Sequence, residues 1–241
     1  MNNEIEKKLW GRVENYLSVL QMVPFVKMVA VCNNLAFGKV DDRSDIDLFV
    51  VAEEGHLFFV RTFVTALLHF MGVRRHGKNV SGRFCLSFFI DDSSCDLSKV
   101  SIYDDVYLAF WIKSMKPVID NGFSGSFFND NLWARDYFEK KEDFELSLRH
   151  LLPVNPLNSV LKSFFSVAFG GSIGSFLEKR LSSWQKKRAL RKASRASEDS
   201  SLIVDDHILK FHNKDRRVFY RDLWRSKFGE RKINDKRFLS L

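Results

Sequence analysis

The segment that most constrains this fold is an apolar run, residues 44–51 (SDIDLFVV), which carries two aspartates. Its β-branched and aromatic residues predict a buried strand. Because side chains alternate across a strand, we expect Asp45 and Asp47 on one face and Ile46 and Leu48 on the other. Neighbouring carboxylates in apolar surroundings repel each other and lose hydration, which costs stability unless a cation lies between them. Since Mg²⁺ prefers carboxylate and phosphate oxygens, the segment predicts a metal and phosphate site.

Hydrophobic periodicity predicts helices and strands through the first 150 residues. An amphipathic helix is expected over residues 3–22, and a mostly apolar helix over residues 55–71. Three short apolar runs predict strands, at residues 27–32, 46–52 and 83–90. Asp104 or Asp105 can cap a further helix. Together these elements predict an α+β fold, with a small mixed sheet flanked by helices in residues 1–150.

Residues 151–241 predict a helical and basic C-terminal region. Asn155 and Pro156 resemble a helix start, with Asn as cap and Pro in the first turn. The stripe expected to be buried on that helix consists of Leu157, Val160, Leu161, Phe164 and Ala168. A short strand-like run follows at residues 202–204, ahead of the segment 208–212.

Charge is unevenly distributed along the 241 residues, whose net charge is +8. Residues 178–241 carry +10 and residues 1–177 carry −2. This asymmetry favours a polyanionic partner for the C-terminal region, such as RNA. The basic positions Lys186, Lys187 and Arg188 are the nucleic-acid contacts we would test first, with Trp184 as a stacking side chain. The alternative is that this segment is only the solvated side of an amphipathic helix.

Between Cys32 and Leu48, the order of strand, turn and Asp-x-Asp strand resembles the nucleotidyltransferase superfamily, whose fold is shared with DNA polymerase beta. In that family a hydrophobic residue and Gly-Gly or Gly-Ser precede Asp-hydrophobic-Asp by a spacer of nine to thirteen residues. Here Asn33 and Asn34 take the place of the glycines, and ten residues separate Asn34 from Asp45. The fit resembles most closely bacterial proteins with an Asn-Asn variant of this turn.

The resemblance implies a Mg²⁺-dependent transfer of a nucleoside monophosphate from a nucleoside triphosphate to an acceptor hydroxyl, with release of pyrophosphate. Asp45 and Asp47 would be the catalytic metal ligands. Asn33 and Asn34 would hold the triphosphate, in a turn where Asn tolerates positive φ better than other non-glycine residues. Three further nucleotide contacts are expected by position, and they are Ser44, Lys39 and Arg61. For Ser44 a backbone hydrogen bond, for Lys39 plain solvation and for Arg61 a snorkelling side chain are the alternatives.

Enzymes of this family carry a third carboxylate on a neighbouring strand. The candidate strand here has Ser87 at its polar middle position. Asp91 has the same parity but lies four residues, roughly 13 Å, further along. We assign Asp91 as the candidate third metal ligand, provided that the strand register brings it close. Without a third ligand, the alternative is a catalytically degraded nucleotide- or RNA-binding module of the same fold.

Three cysteines (Cys32, Cys85 and Cys95) show no ligand spacing, and they are typical of buried thiols in a reducing compartment. No apolar run reaches the roughly 18 residues of a membrane-spanning helix. These observations favour a cytoplasmic protein that binds no membrane. The acceptor, the base preference and the oligomeric state are not determined by the sequence.

Overall fold

The computed structural model describes residues 2–193, 201–212 and 215–241. The strands within them are β1 (Val26–Cys32), β2 (Ile46–Ala52), β3 (Phe84–Asp91), β4 (Lys116–Asp120), β5 (Ser201–Val204) and β6 (Ile208–His212). They form one sheet of order β4-β1-β2-β3-β6-β5. β2 and β3 run parallel, and the other neighbouring pairs are antiparallel. The predicted α+β class with a mixed sheet is confirmed.

Helices flank this sheet. In the described residues they are α1 (Asn2–Leu17), α2 (Asn33–Ala36), α3 (Leu57–Phe70), α4 (Val106–Ser114), α5 (Ser124–Asp130), α6 (Pro156–Ala168), α7 (Gly171–Ala193), α8 (Arg217–Phe228) and α9 (Asp235–Leu239). A 3₁₀ turn over Ser18–Met22 continues α1, so the predicted helix over residues 3–22 is confirmed in extent. Asp105 caps α4 by accepting a hydrogen bond from the backbone N–H of Leu108 at 2.9 Å.

The sheet separates two apolar cores, and β1 and β2 contribute to both. On one face, Ile46 and Leu48 pack with residues of α1 and α3. On the other, Phe49 and Val51 pack with residues of α4 and α8. Strands buried on both faces read as nearly continuous apolar runs, which is why the two aspartates stand out in the sequence.

The C-terminal region contributes to this sheet. β6 pairs with β3 through Lys210 opposite Phe88 and Leu209 opposite Phe89. The predicted strand-like run near residues 202–204 is therefore confirmed as β5, and residues 208–212 form a further strand, β6, that the sequence did not predict. The description of residues 151–241 as helical was incomplete, since two of the sheet strands come from there. The division of domains at residue 150 stays a prediction.

Helix α6 begins where the sequence predicts. The side chain of Asn155 accepts hydrogen bonds from the backbone N–H groups of Leu157 and Asn158, and Pro156 occupies the first turn. The predicted buried stripe is wrong, however. Leu157 and Val160 are each 66% exposed, because α6 packs against the 3₁₀ turn through its opposite side. There Asn158 is buried, and its side-chain amide donates to the Ser18 carbonyl at 2.8 Å.

In the described part of the chain, no helix on its own combines the length and the apolar character that crossing a membrane requires. Only α6 together with residues 171–191 of α7 meets that requirement by composition, and these two helices are bent by 88° at their junction.

Candidate metal centre

The two aspartates lie at the start of the central strand β2. Asp47 is the second residue of β2, and Asp45 directly precedes the strand. Both are partly buried, whereas Ile46 and Leu48 between and beside them have no solvent exposure. The side chains therefore alternate as predicted, with both carboxylates on the face of the sheet that α4 covers.

The asparagine turn lies beside them. Cys32, the last residue of β1, pairs with Asp47, so the turn that follows β1 is adjacent to the carboxylates. Asn33 has a φ of 56°, the positive value that the sequence predicts for this position. Its side chain accepts a hydrogen bond from the Tyr107 hydroxyl at 3.3 Å, and it also hydrogen-bonds Asp47. Asn34 is exposed in the first turn of α2.

The neighbouring strand places a cysteine, not a third carboxylate, beside the pair. β3 runs parallel to β2, with Cys85 opposite Asp47. One ligand atom from each of Asp45, Asp47 and Cys85 lies within 4.8 Å of the other two. No further aspartate or glutamate among the residues that the structure describes joins this group. A half-buried thiol thus occupies the position at which the sequence resemblance predicts a third carboxylate.

Strand register explains why this position was missed. The pairing of β2 with β3 shifts between Leu48 and Phe49, which face Leu86 and Phe88. Ser87 falls in this irregularity, so it does not lie opposite Asp47. The position nearest the carboxylates is therefore Cys85, two residues before Ser87.

Asp91 does not join the candidate ligands. It pairs with Ala52, at the opposite end of β2 from Asp47. Its carboxylate is buried and accepts a hydrogen bond from the Ser93 hydroxyl at 2.7 Å, and its other oxygen lies 2.7 Å from Nδ1 of His207. The assignment of Asp91 as the third metal ligand is therefore corrected, because the register keeps it far from the pair.

An arginine that the sequence reasoning missed partly neutralises the site. Arg75 Nη1 donates to Asp45 Oδ2 at 2.6 Å and lies 3.7 Å from the Cys85 sulfur. The backbone N–H of Arg75 donates to the carbonyl of Phe84, the first residue of β3, which fixes its place beside the cluster. Arg75 lies in the loop between α3 and β3. Only the tertiary structure shows that its side chain reaches the cluster.

The electrostatics of the pair agree with the sequence argument. Burial, followed by repulsion from Asp45, raises the pKa of Asp47 to about 6. Burial and the same two carboxylates raise the pKa of the Cys85 thiol well above its ordinary value. Negative charge at this point is therefore costly in the absence of a cation, and the thiol is neutral near pH 7.

The donor set fits a hard divalent ion in part. Asp45 and Asp47 offer carboxylate oxygens, the ligands that Mg²⁺ prefers. The neutral thiol of Cys85 is a poor Mg²⁺ ligand, whereas softer ions such as Zn²⁺ accept thiolates. Beside a nucleotide, Mg²⁺ usually binds one or two protein carboxylates, and phosphate oxygens and water complete its coordination shell.

A cavity of about 520 Å³ opens beside Asp47. That volume lies within the range of roughly 300–1,000 Å³ of small-molecule sites. Asn33 and Cys85 line it near the cluster, and aromatic side chains contribute to its walls. Its basic lining residues are Arg74, Arg75, Lys210, Arg216 and Arg217.

Several of these basic groups already have acidic neighbours. Arg217 contacts Asp105 at 3.2 Å and Asp215 at 2.6 Å. Lys210 lies 3.9 Å from Asp215, and burial, followed by the charge of Arg217, lowers the Lys210 pKa to about 8. Arg74 differs, since its buried Nε has no hydrogen-bond partner among the described residues.

Comparison with family models, with curated proteins and with solved structures finds no match to this chain. The resemblance to nucleotidyltransferases therefore rests on its own residues. The structure brings Asn33 together with Asp45 and Asp47, and it adds Cys85 and Arg75 to them.

Other predicted nucleotide contacts lie away from this cavity. The Ser44 hydroxyl is buried and hydrogen-bonds Asp41 at 2.9 Å, which agrees with the simpler structural role. Lys39 is exposed on the loop before β2. Arg61 lies on α3, where its guanidinium contacts Gln185 of α7 and lies 4.5 Å from the ring centre of Phe211. Burial lowers the pKa of Arg61 to about 10, and its position assigns it to helix packing.

The predicted nucleic-acid contacts lie on α7. Lys186 pairs with Asp206 at 2.5 Å and lies above the ring of Phe58, so its charge is partly balanced. Lys187 and Arg188 are exposed. These residues are far in sequence from the metal centre, and RNA binding by them stays a prediction.

Proposed function

We propose that this chain is a Mg²⁺-dependent nucleotidyltransferase. The observation that carries the proposal is the location of Asp45 and Asp47, which share one face beside the positive-φ Asn33 turn and a cavity with basic walls. The proposed substrate is a nucleoside triphosphate. The sequence pattern and the arrangement of the same residues both favour this assignment.

In the proposed reaction, the acceptor hydroxyl oxygen forms a bond to the α-phosphorus. The bond from that phosphorus to the oxygen bridging to the β-phosphate breaks, pyrophosphate leaves, and the hydroxyl proton passes to solvent. Asp45 and Asp47 would hold Mg²⁺, which when bound neutralises phosphate charge. The chain itself contributes positioning and positive charge, mainly through the Asn33 turn, Arg74 and Arg75.

The basic residues that line the cavity suit a polyphosphate ligand. Arg74 Nε is a buried donor without a partner in the described residues, and burying such a donor costs free energy unless a ligand accepts from it. Arg75 is hydrogen-bonded to Asp45. A metal bound to Asp45 would replace that contact and free the Arg75 guanidinium to bind a phosphate. Planar guanidinium groups bind phosphate oxygens in pairs. Both arginines therefore favour an anionic ligand.

One observation favours a second candidate function, a nucleotide-binding module without turnover. Cys85 supplies no negative charge where a third carboxylate would support the ion that activates the acceptor hydroxyl. Binding of the metal–triphosphate complex needs fewer ligands than activation of a hydroxyl. The two candidates share the ligand and differ only in chemistry.

Calorimetry with Mg²⁺ and a non-hydrolysable ATP analogue tests the shared part. We expect binding that requires Mg²⁺ and that weakens at least about tenfold, or 1.4 kcal/mol, in Asp45→Asn and Asp47→Asn. Asp91→Asn is the matched control, since it removes a buried carboxylate from β3 outside the cluster, and it should bind normally. Equal Mg²⁺-dependent affinity in wild type and Asp47→Asn would refute the site.

Incubation with α-labelled nucleoside triphosphates, total RNA and total protein separates the two candidates. A transferase should label an acceptor in the wild type and not in Asp47→Asn. A binding module should bind without labelling. In that case Cys85→Asp, which restores a carboxylate opposite Asp47, is the variant expected to gain labelling, with Cys85→Ser as its control.

A further inference from the structure

The outward side of α6 is apolar along its length. Leu157, Val160, Phe164 and Val167 recur at helical spacing, and their side chains are between 64% and 86% exposed. Monomeric soluble proteins rarely expose contiguous apolar patches of large size without a binding role. Single exposed apolar residues need no explanation, but an ordered stripe on one helix does.

Helix α7 continues this pattern and then changes to basic residues. Ile173 and Phe176 are 62% and 57% exposed, and Arg180, Trp184 and Lys187 follow on the same side at helical spacing. Arg180 lies 5.3 Å from the ring centre of Phe176. The outward side of α7 is thus apolar near its start and cationic with one aromatic residue beyond.

The inward side of α7 carries two polar residues that bond to α3, beside the apolar Leu181 and Ala189. Gln185 is buried and donates to the Phe58 carbonyl at 3.0 Å. The Glu178 carboxylate accepts hydrogen bonds from the backbone N–H groups of Phe58 and Phe59, at 2.8 and 2.7 Å. Surface helices normally bury their apolar stripe. Here hydrogen bonds of Glu178 and Gln185 help to attach α7 to α3, while Ile173 and Phe176 are left outside.

Glycines fix the corner between the two helices. Gly171 has a φ of 57°, and a Cβ at Gly174 would lie 1.9 Å from the Phe169 carbonyl oxygen. Phe169 packs inward against Phe59 and Phe63, with ring centres 5.2 and 5.6 Å apart. The junction of α6 and α7 is therefore fixed by packing, and its outward apolar residues belong to an ordered part of the structure.

The apolar corner consists of Leu157, Val160, Phe164, Val167, Ile173 and Phe176. The basic stripe consists of Lys179, Arg180, Lys187 and Arg188, all exposed.

Charge identifies the partner. Residues 156–191 contain seven Lys or Arg and one acid, Glu178, which faces α3. A second copy of this face would bring like charges together, which disfavours self-association. RNA would account for the basic stripe but not for an exposed aliphatic face, since bases stack on aromatic rings. An anionic lipid surface accounts for both, because it accepts apolar side chains and attracts cations.

We propose that the apolar corner and the basic stripe dock this protein on an anionic membrane surface. The apolar side chains enter the boundary between headgroups and acyl chains, and the basic stripe contacts acidic headgroups. Helix α6 has 13 residues, about 20 Å at 1.5 Å per residue, which is shorter than the roughly 30 Å hydrocarbon core. The helix therefore lies on the membrane and does not cross it. This conclusion departs from the expectation that the protein binds no membrane.

Vesicle flotation with the full chain tests the proposal. We expect the protein to float with vesicles that contain about one third phosphatidylserine in phosphatidylcholine, and to remain behind with phosphatidylcholine alone. Added salt should weaken the binding, because screening shortens the reach of the basic stripe. Equal flotation with both vesicle types, or with neither, would overturn the proposal.

Variants then separate the two parts of the surface. Val160→Ser, Phe164→Ser and Val167→Ser combined should weaken binding to the anionic vesicles at least about tenfold, since they remove apolar groups that would be buried in the membrane. Lys179→Glu, Arg180→Glu and Lys187→Glu combined should do the same, since they replace attraction to acidic headgroups by repulsion. These side chains are exposed, so unchanged thermal unfolding should accompany both losses.

The matched control removes exposed aromatic residues elsewhere. Phe70→Ser with Phe219→Ser deletes two rings that are 85% and 60% exposed, and it should leave flotation unchanged. If the serine triple variant floats like the wild type, the apolar corner has no membrane role and the proposal fails. It also fails if the glutamate variant loses binding to poly(U) RNA while vesicle binding stays intact, or if the serine variant only converts a dimer to a monomer in sedimentation.

Discussion

The burial of Asp47 beside Asp45 makes a sharp prediction about folding stability. In the metal-free protein, Asp47→Asn removes a carboxylate whose ionised form is unfavourable in the folded state. Burial and Asp45 raise the pKa of Asp47 from 3.8 to about 6. Each pKa unit corresponds to about 1.4 kcal/mol of stability, so ionised Asp47 costs up to about 3 kcal/mol. We therefore expect Asp47→Asn to increase the free energy of unfolding at pH 7.5 by about 1–3 kcal/mol.

The sign of the pH dependence follows from linkage. Between the unfolded and folded pKa values, the folded state binds more protons than the unfolded state, so wild-type stability falls as pH rises. The advantage of Asp47→Asn should accordingly be small near pH 4, grow toward pH 6 and stay constant above it. Asparagine does not titrate, so the variant lacks this component of the pH dependence.

The assay is urea unfolding followed by circular dichroism, in EDTA, at several pH values from 4 to 8. Added Mg²⁺ should stabilise the wild type and have little effect on Asp47→Asn, because a ligand that binds only the folded state increases its stability. Asp120→Asn is the control. Asp120 accepts hydrogen bonds from Phe123 and Ser124, so its loss should destabilise the protein.

A lower unfolding free energy for Asp47→Asn at pH 7.5 in EDTA would refute this reasoning. A gain of equal size at pH 4 and pH 7.5 would refute it as well, since the effect would then not arise from ionisation. Either result would show that burial and Asp45 together do not destabilise ionised Asp47 in the folded protein, and the main physical reason for a cation there would be lost.

Further predictions concern the surroundings of the site and the helix corner. Arg75→Met should strengthen Mg²⁺ binding in nucleotide-free calorimetry, because it removes a cation that competes for Asp45; weaker binding would contradict this. Glu178→Ala should lower the unfolding free energy by about 1–2 kcal/mol, since it leaves two backbone N–H groups of α3 without an acceptor, and an unchanged urea midpoint would argue against that role. Gly174→Ala should lower the thermal midpoint clearly, because its Cβ would overlap a backbone oxygen, whereas Gly125→Ala, where no atom lies within 4 Å of an added Cβ, should have little effect.

Local features were predictable from the sequence because they depend on neighbours in the chain. Alternation in residues 44–51 placed Asp45 and Asp47 on one face, since strand geometry fixes the side-chain period at two. The positive φ of Asn33 and the caps Asp105 and Asn155 follow from the conformational and hydrogen-bonding preferences of these residue types.

The third position of the cluster depended on how separate strands align. Parity within β3 pointed to Ser87 and then Asp91, but the register irregularity beside Leu48 brings Cys85 opposite Asp47. Strand register cannot be read directly from a sequence, because it is set by the packing of the whole sheet. Arg75 and Lys210 reach the site for the same reason, through a returning loop and through the pairing of β6 with β3.

Burial also depended on the tertiary structure. The periodicity of α6 fixed which residues share a face, but not which way that face points. The sequence by itself determined the strands and helices around the site, the caps and the pair of neighbouring aspartates, because those follow from interactions a few residues apart. Only the packed molecule decided that Cys85 accompanies the pair and that Leu157 and Phe164 point outward. Both outcomes depend on which distant elements meet, and that is a property of the whole fold.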